Sequence, residues 1–203
     1  MQKLGKEDTD RRPLGALLSD LSKMNKRKGI ISPHPNPPLE KGREKIIVVC
    51  HNIRSAFNVG SIFRTADGAG VTKIILGGYS AHPPHPKISK TALGAEKSIP
   101  HERVWQTWNV IENFKEKRYH IAALEKTKEV YPESPKARGT KNIFNFKPKF
   151  PMVLVLGNEV KGLSKKILGR CDDIVFIPMR GRKESLNVAV AFGIAIYQIL
   201  NKN

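Results

Sequence analysis

The sequence predicts an α/β domain over residues 45–203, a parallel sheet with helices on both faces. Three observations predict it. Five continuous apolar runs of strand length, "KIIVVC" (45–50), "KIILGG" (73–78), "YHIAAL" (119–124), "MVLVLG" (152–157) and "DIVFIP" (173–178), lack an alternating polar side, as strands covered on both faces do. Helix-period stretches lie between them, near 58–68, 88–97, 109–117, 164–169 and 185–201. The 203-residue chain is also long enough to bury such a core without staples, and its two cysteines, Cys50 and Cys171, have neither metal-ligand spacing nor a disulfide framework. A reducing cytoplasm fits that usage.

Residues 1–44 precede the domain as a basic, weakly structured extension. They hold ten Lys or Arg against six Asp or Glu and one short amphipathic stretch, "PLGALLSDLSKM". The prolines of "ISPHPNPPLEKGRE" then forbid a helix or a central strand. Either an RNA-binding arm or a passive tail fits this composition.

The first strand run ends at Cys50, and "HNIRSAFNVGSIFRTADGAGV" (51–71) follows it. With Asn58 as helix cap, Val59, Ile62, Phe63 and Ala66 form a buried stripe at i, i+3, i+4, i+7. Arg64 then points away from the stripe, and Gly60 lets something bulky approach the helix. These polar residues sit at a strand's C-terminal end, where ligands of open α/β sheets bind. A second polar cluster, "GNEVKGLS" (157–164), follows "MVLVLG". Its Glu159 at the end of a buried strand calls for a cation, and Arg64 is the candidate. In the third, "IPMRGRKESLNVAVAFG" (177–193), a basic loop enters a helix that Ser185 is placed to cap, offering free N–H groups to an anion. Beyond Asn187 that helix is apolar almost all round, which implies complete burial or a subunit interface.

Charge narrows the partner. Lys and Arg number 36 against 18 Asp and Glu, a formal net charge of +18, and the domain without its extension keeps 26 basic against 12 acidic residues. A polyanion, RNA or DNA, is the leading expectation for the partner, with an anionic membrane surface second. No leader-like stretch opens the chain, and its longest apolar run, "VAVAFGIAIYQIL", falls short of a membrane span. The histidines of "HPPHP" (82–86), with His101, lack Cys or carboxylate partners at ligand spacing, so no metal is expected there; a rigid loop touching RNA or a second copy is. The spacing of Trp105, Trp108 and Phe114 favours core over base stacking. "ARGTKNIFNFKPKF" (137–150) reads as an RNA-facing segment or a covering loop. A nucleotide-dependent dehydrogenase is disfavoured, because no G-x-G-x-x-G opens the first helix.

Together, "NVGSIFRTADGAG", "LVLGNEVKGLS" and "IPMRGRKESLNVAVAFGIAIY" resemble, in order and spacing, the three signature motifs of the SpoU/TrmH family of RNA methyltransferases in the SPOUT superfamily. That resemblance implies a C-terminal trefoil knot, a homodimer, S-adenosyl-L-methionine as cofactor, and methylation of a ribose 2′-hydroxyl in tRNA or rRNA. It implies catalytic roles for Asn58, Arg64, Glu159, Ser185 and Asn187, and cofactor contacts around Leu124, Gly157, Ile177, Met179 and Leu186. A non-catalytic RNA-binding or ribosome-assembly protein of the same fold is the competing reading.

Overall fold

The computed structural model describes residues 45–126 and 140–201. The 1–44 extension, and residues 137–139 of the basic-aromatic segment, lie outside them. The five apolar runs form the strands β1 (Ile46–His51), β2 (Lys73–Gly77), β4 (His120–Leu124), β6 (Met152–Leu156) and β7 (Asp173–Phe176). Two further strands are short and polar: β3 (His101–Val104) and β5 (Thr140–Asn142). They occupy the two edges of one sheet ordered β3-β2-β1-β6-β4-β7-β5, in which every neighbouring pair is parallel.

Both faces of that sheet are covered, which explains the absence of polar alternation. Along β1, Ile46, Val48 and Cys50 join a core with Val59, Ile62 and Phe63 of helix α1 (Ala56–Gly68) and Phe192, Ala195 and Ile196 of helix α6 (Val188–Leu200). Ile47 and Val49 face the other way, into a core with Ile111 of α4 (Thr107–Glu116) and Ile167 of α5 (Lys165–Leu168). Each fully buried side chain of this size contributes on the order of 1.5–3 kcal/mol, so the sheet is held from both sides.

The chain winds outward from β1 to β2 and β3, crosses to β4 and the edge strand β5 on the far side of β1, and then inserts β6 between β1 and β4 and β7 between β4 and β5. Crossovers therefore run to both sides of β1, and in such sheets ligands bind at the C-terminal ends of the strands.

Several local expectations are corrected. The stretch near 88–97 is two helices, α2 (Pro86–Ala92) and α3 (Ala95–Ser98), separated by Leu93 at φ 52° and Gly94 at φ 96°. Helix α1 is capped by Ser55, not Asn58: the Ser55 hydroxyl accepts from the Asn58 N–H at 3.3 Å. Gly60 admits no ligand, since a Cβ there would overlap Thr91 Oγ1 and the Ile88 carbonyl of α2. Its role is helix-to-helix packing. The basic-aromatic segment contributes β5 and a 3₁₀ turn (Ile143–Asn145), and buries Ile143 and Phe146.

Candidate active site at the C-terminal edge of the sheet

The C-terminal ends of β4, β6 and β7, with the segment leading into α6, enclose a cavity of about 560 Å³. Leu124, Gly157, Ile177, Met179 and Leu186 all line it, as do Glu159 and Ser185. Three separate segments thus converge on one volume within the range of cofactor sites.

Beside the cavity runs a chain of side-chain amides ending on a carboxylate. The Asn187 side chain donates to Asn58 Oδ1 at 3.0 Å, and Asn58 Nδ2 donates to Glu159 Oε1 at 3.0 Å. Glu159 also accepts from the backbone N–H groups of Arg54 and Ser55, each at 3.3 Å. Burial alone would raise the Glu159 carboxyl, but the hydrogen bonds from Asn58 and the two backbone groups outweigh it and hold the carboxyl below its ordinary value. The charge expected to need a cation is met instead by the N-terminus of α1, whose free N–H groups carry partial positive charge. Arg64 therefore does not pair with Glu159: it is exposed, and among the described residues it has no ion-pair partner.

The cap of α6 is likewise corrected. Asn187, not Ser185, accepts from the N–H groups of Ala189 at 2.9 Å and Val190 at 3.4 Å. Ser185 lies two residues upstream, exposed at the cavity wall. Nor is α6 wholly buried, since Val190 and Tyr197 stand about half exposed on one side of it. Of the five polar residues, Asn58, Glu159 and Asn187 are joined by hydrogen bonds, Ser185 borders the same cavity, and Arg64 stands apart on the exposed side of α1.

Sequence reasoning missed the residues that build the loops. Asn158 is buried; its Oδ1 accepts from the Val160 and Lys161 N–H groups, and its Nδ2 donates to the Asn52 carbonyl at 2.8 Å. It thereby shapes the turn that carries Glu159 and ties it to the end of β1. Glu125, directly after β4, accepts from the Leu163 N–H at 2.8 Å and from the Lys126 N–H at 3.1 Å. Gly162, at φ 61°, lets this happen: a Cβ there would sit 2.6 Å from Glu125 Oε2. Burial raises the Glu125 carboxyl, opposed by its bonds to Leu163 and Lys126. An acid following an apolar strand was the available signal for it. On β1, the Asn52 amide donates to His51 Nε2 at 3.0 Å while its Oδ1 takes the Tyr79 N–H. His51 Nδ1 then bonds Thr107 Oγ1 at 2.8 Å, and burial lowers the imidazole, so His51 is a neutral structural link.

Other candidates have local jobs. His85 caps α2 and the His101 ring meets Phe63 edge-on, its centroid 5.2 Å away. Among the described residues no three His, Cys, Asp or Glu lie together as metal ligands, and no helix is long and apolar enough to cross a membrane. Both cysteines are buried, and burial pushes their thiols up to about 12.

A parallel sheet with its cavity at the C-terminal edge, flanked by a helix N-terminus that fixes a carboxylate, defines an α/β protein of ligand-binding type. The chain belongs to the SpoU rRNA Methylase family, whose model matches residues 45–197. It is 27% identical over 164 residues to the 23S rRNA (guanosine-2′-O-)-methyltransferase RlmB of Vibrio vulnificus, covering 81% of this chain and 62% of that protein. The crystal structure of the TrmH/SpoU tRNA modifying enzyme of A. aeolicus superposes with a TM-score of 0.69 at 27% identity, covering 92% of this chain and 84% of that one. The SpoU methyltransferase AviRb of Streptomyces viridochromogenes in complex with AdoMet superposes with a TM-score of 0.67 at 27% identity, covering 84% and 62%. The chain spans about three fifths of the length of the curated relatives it matches.

Proposed function

We propose that the chain is an S-adenosylmethionine-dependent RNA methyltransferase acting on a ribose 2′-hydroxyl of tRNA or rRNA. The observation that carries this reading is the convergence of Leu124, Gly157, Ile177, Met179 and Leu186 on one cavity beside the Asn187–Asn58–Glu159 chain. The cavity fits the cofactor chemically: apolar walls and strand-end backbone suit an adenosine, and the Glu125 carboxylate suits a cationic ligand. AviRb, which binds AdoMet, and RlmB, named as a guanosine-2′-O-methyltransferase, support it.

When bound, the cofactor supplies an electrophilic methyl on a sulfonium with a neutral leaving group. The remaining task is to place a ribose hydroxyl and lessen its proton affinity. Asn58 and Glu159 fix the N-terminus of α1 against the loop after β6, and so fix the helix from which Arg64 projects. A guanidinium does not deprotonate, so Arg64 acts as a cation on the developing alkoxide or the adjacent phosphate, and the proton leaves to phosphate or water. Ser185 and Asn187 hold the ribose at the entrance of α6.

The same reading carries a homodimer, formed over α6 and the neighbouring α1; exposed Val190 and Tyr197 support it. It also carries the trefoil knot, supported by residues 177–188 passing the ends of β4 and β6 before α6 packs on α1. The same reading carries a cytoplasmic location.

The test is calorimetric titration of S-adenosylmethionine, followed by incubation of the chain with methyl-labelled cofactor and total RNA. Label recovered in alkali-resistant dinucleotides is the expected result, because a 2′-O-methyl blocks cleavage of its own phosphodiester. RNA binding without cofactor binding would establish the non-catalytic reading instead.

A further inference from the structure

Trp105, whose spacing suggests a core residue, is 70% exposed, the largest such exposure of an aromatic side chain among the described residues. Its neighbours Trp108 and Phe114 are half-buried, Trp108 beneath Lys166 Nζ at 3.4 Å and Phe114 against Tyr119. Of these three, Trp105 is the one that presents its ring to solvent. The Arg103 guanidinium lies 4.2 Å from the Trp105 ring centroid, an attraction of cation for π-face that holds the indole in place. One face is covered by the cation, and the exposure leaves the other open.

A second aromatic leaves the sheet beside it. β2 and β3 end in register at Gly77 and Val104, and the Gly78 N–H donates to the Val104 carbonyl at 2.8 Å. Trp105 directly follows β3, and Tyr79 lies two positions past the end of β2. Tyr79 is 51% exposed, yet it is anchored at both ends: its N–H donates to Asn52 Oδ1 at 3.2 Å and its hydroxyl lies 3.3 Å from Asn158 Nδ2. Asn158 immediately precedes Glu159. Two exposed aromatic rings thus leave the C-terminal ends of neighbouring strands, the strand-end edge that carries the cavity; Tyr79 is joined to the candidate site through Asn158, and Trp105 is held by Arg103. Arg54 and Lys161, both exposed, flank that junction.

We propose that Trp105 and Tyr79 form a stacking platform for unpaired bases of single-stranded RNA, with Arg103 directed at the accompanying phosphate. This rests on the RNA methyltransferase reading and extends it to the nucleotides beside the one modified. Fixed aromatic faces next to arginine are how proteins hold unstacked bases, because every base has a π-face and every nucleotide a phosphate. A chain of net charge +18 favours that polyanion over an acceptor surface on another protein.

The test uses the full chain and two probes of about twelve nucleotides, within the span of single-strand sites: a single-stranded RNA oligoadenylate and an abasic ribose-phosphate strand of equal length. Trp105→Ala should weaken the base-bearing strand about 5- to 100-fold while leaving the abasic strand within about 2-fold. Trp105→Phe should restore most of the loss, and Arg103→Ala should weaken both strands. Equal loss on both strands, or no loss with Trp105→Ala, overturns the platform. So does a change in sedimenting mass with RNA affinity intact, which would make Trp105 a contact between copies. A wild-type chain that binds S-adenosylmethionine but neither strand overturns the platform and keeps the cofactor site. One that binds both strands but no cofactor removes the methyltransferase reading and leaves the platform standing.

Discussion

Asn187 performs two tasks with opposite ends of one amide, and two substitutions separate them. Its Oδ1 caps α6 through the Ala189 and Val190 N–H groups; its Nδ2 donates to Asn58 Oδ1 at 3.0 Å. Asn187→Ala removes both. Loss of the cap costs about 1 kcal/mol, and loss of the exposed side-chain bond adds about 0.5–1 kcal/mol. At about 2–4 °C per kcal/mol for a domain of this size, Tm should fall by about 3–8 °C. Asn187→Asp keeps an oxygen over the helix N-terminus and adds charge favourable to the helix dipole, worth about 0.3–1 kcal/mol. It cannot donate to Asn58, and it sets a carboxylate against the Asn58 oxygen. Stability should therefore stay within about 1 kcal/mol of the parent, while methyl transfer falls as far as in Asn187→Ala, because in both variants Asn58 loses the bond that fixes it on Glu159. Thermal denaturation and single-turnover methylation measure the two quantities. Parent-like methylation by Asn187→Asp would show that only the cap matters; equal destabilisation by both variants would show that the amide oxygen is not what caps the helix.

Arg64→Ala should leave S-adenosylmethionine affinity within about 3-fold and lower methyl transfer about 100-fold or more, since an exposed cation outside the cavity acts on the nucleophile; calorimetry and label transfer read the two, and equal losses would refute the assignment. Glu159 has its carboxyl held below the ordinary value of 4.5, so it stabilises the fold above that value and loses the contribution as pH falls through its lowered folded value. Urea titrations of Glu159→Gln should accordingly show a shallower loss of stability below pH 4.5 than the parent, and parallel curves would contradict the α1 anchor. Val190→Glu with Tyr197→Glu, at exposed positions of α6, should convert a sedimenting dimer to monomer with α6 intact by circular dichroism; an unchanged mass would move the interface elsewhere.

The sheet was legible where burial is symmetrical and obscure where it is not. "KIIVVC" and "MVLVLG" announce strands because both faces are dry, whereas "HERV" and "TKN" form β3 and β5 at edges with one neighbour each and exposed side chains. The break between α2 and α3 falls on Leu93, a residue that favours helix and here sits exposed in the left-handed region before Gly94, while Ala92 and Ala95 on either side of the bend are buried. Both cap assignments failed for one reason. Ser55 and Asn58, like Ser185 and Asn187, offer two good capping residues within three positions, and Ser against Asn carries almost no intrinsic preference. What decides is the cross-chain contact: Asn58 is drawn off by Glu159, 101 positions away, and Asn187 meets Asn58 across 129. The cavity-lining residues were legible through the resemblance to the SpoU/TrmH motifs, but the exposure of Trp105 was not, because it depends on where β3 stops.

That cross-chain contact also accounts for the dominance of asparagine on this edge. Asn52, Asn58, Asn158 and Asn187 each donate with one end of the amide and accept with the other, tying the ends of β1 and β6 to the entrance of α6. A lysine or aspartate in such a strap could fill only one of the two roles when ionised, and would add charge where a phosphate backbone must approach. The one carboxylate in the strap, Glu159, has its charge taken up by the N-terminus of α1, so it neither repels a polyanion strongly nor occupies Arg64. Arg54, Arg64, Arg103 and Lys161 are thereby left exposed around a site whose own scaffold is close to neutral. Converting Asn58 to Asp would reverse that balance, setting two carboxylates face to face at the helix N-terminus. The expected outcome is weaker RNA binding at low salt with cofactor affinity retained, and RNA affinity equal to the parent's would show that the neutrality of the strap has no bearing on the substrate.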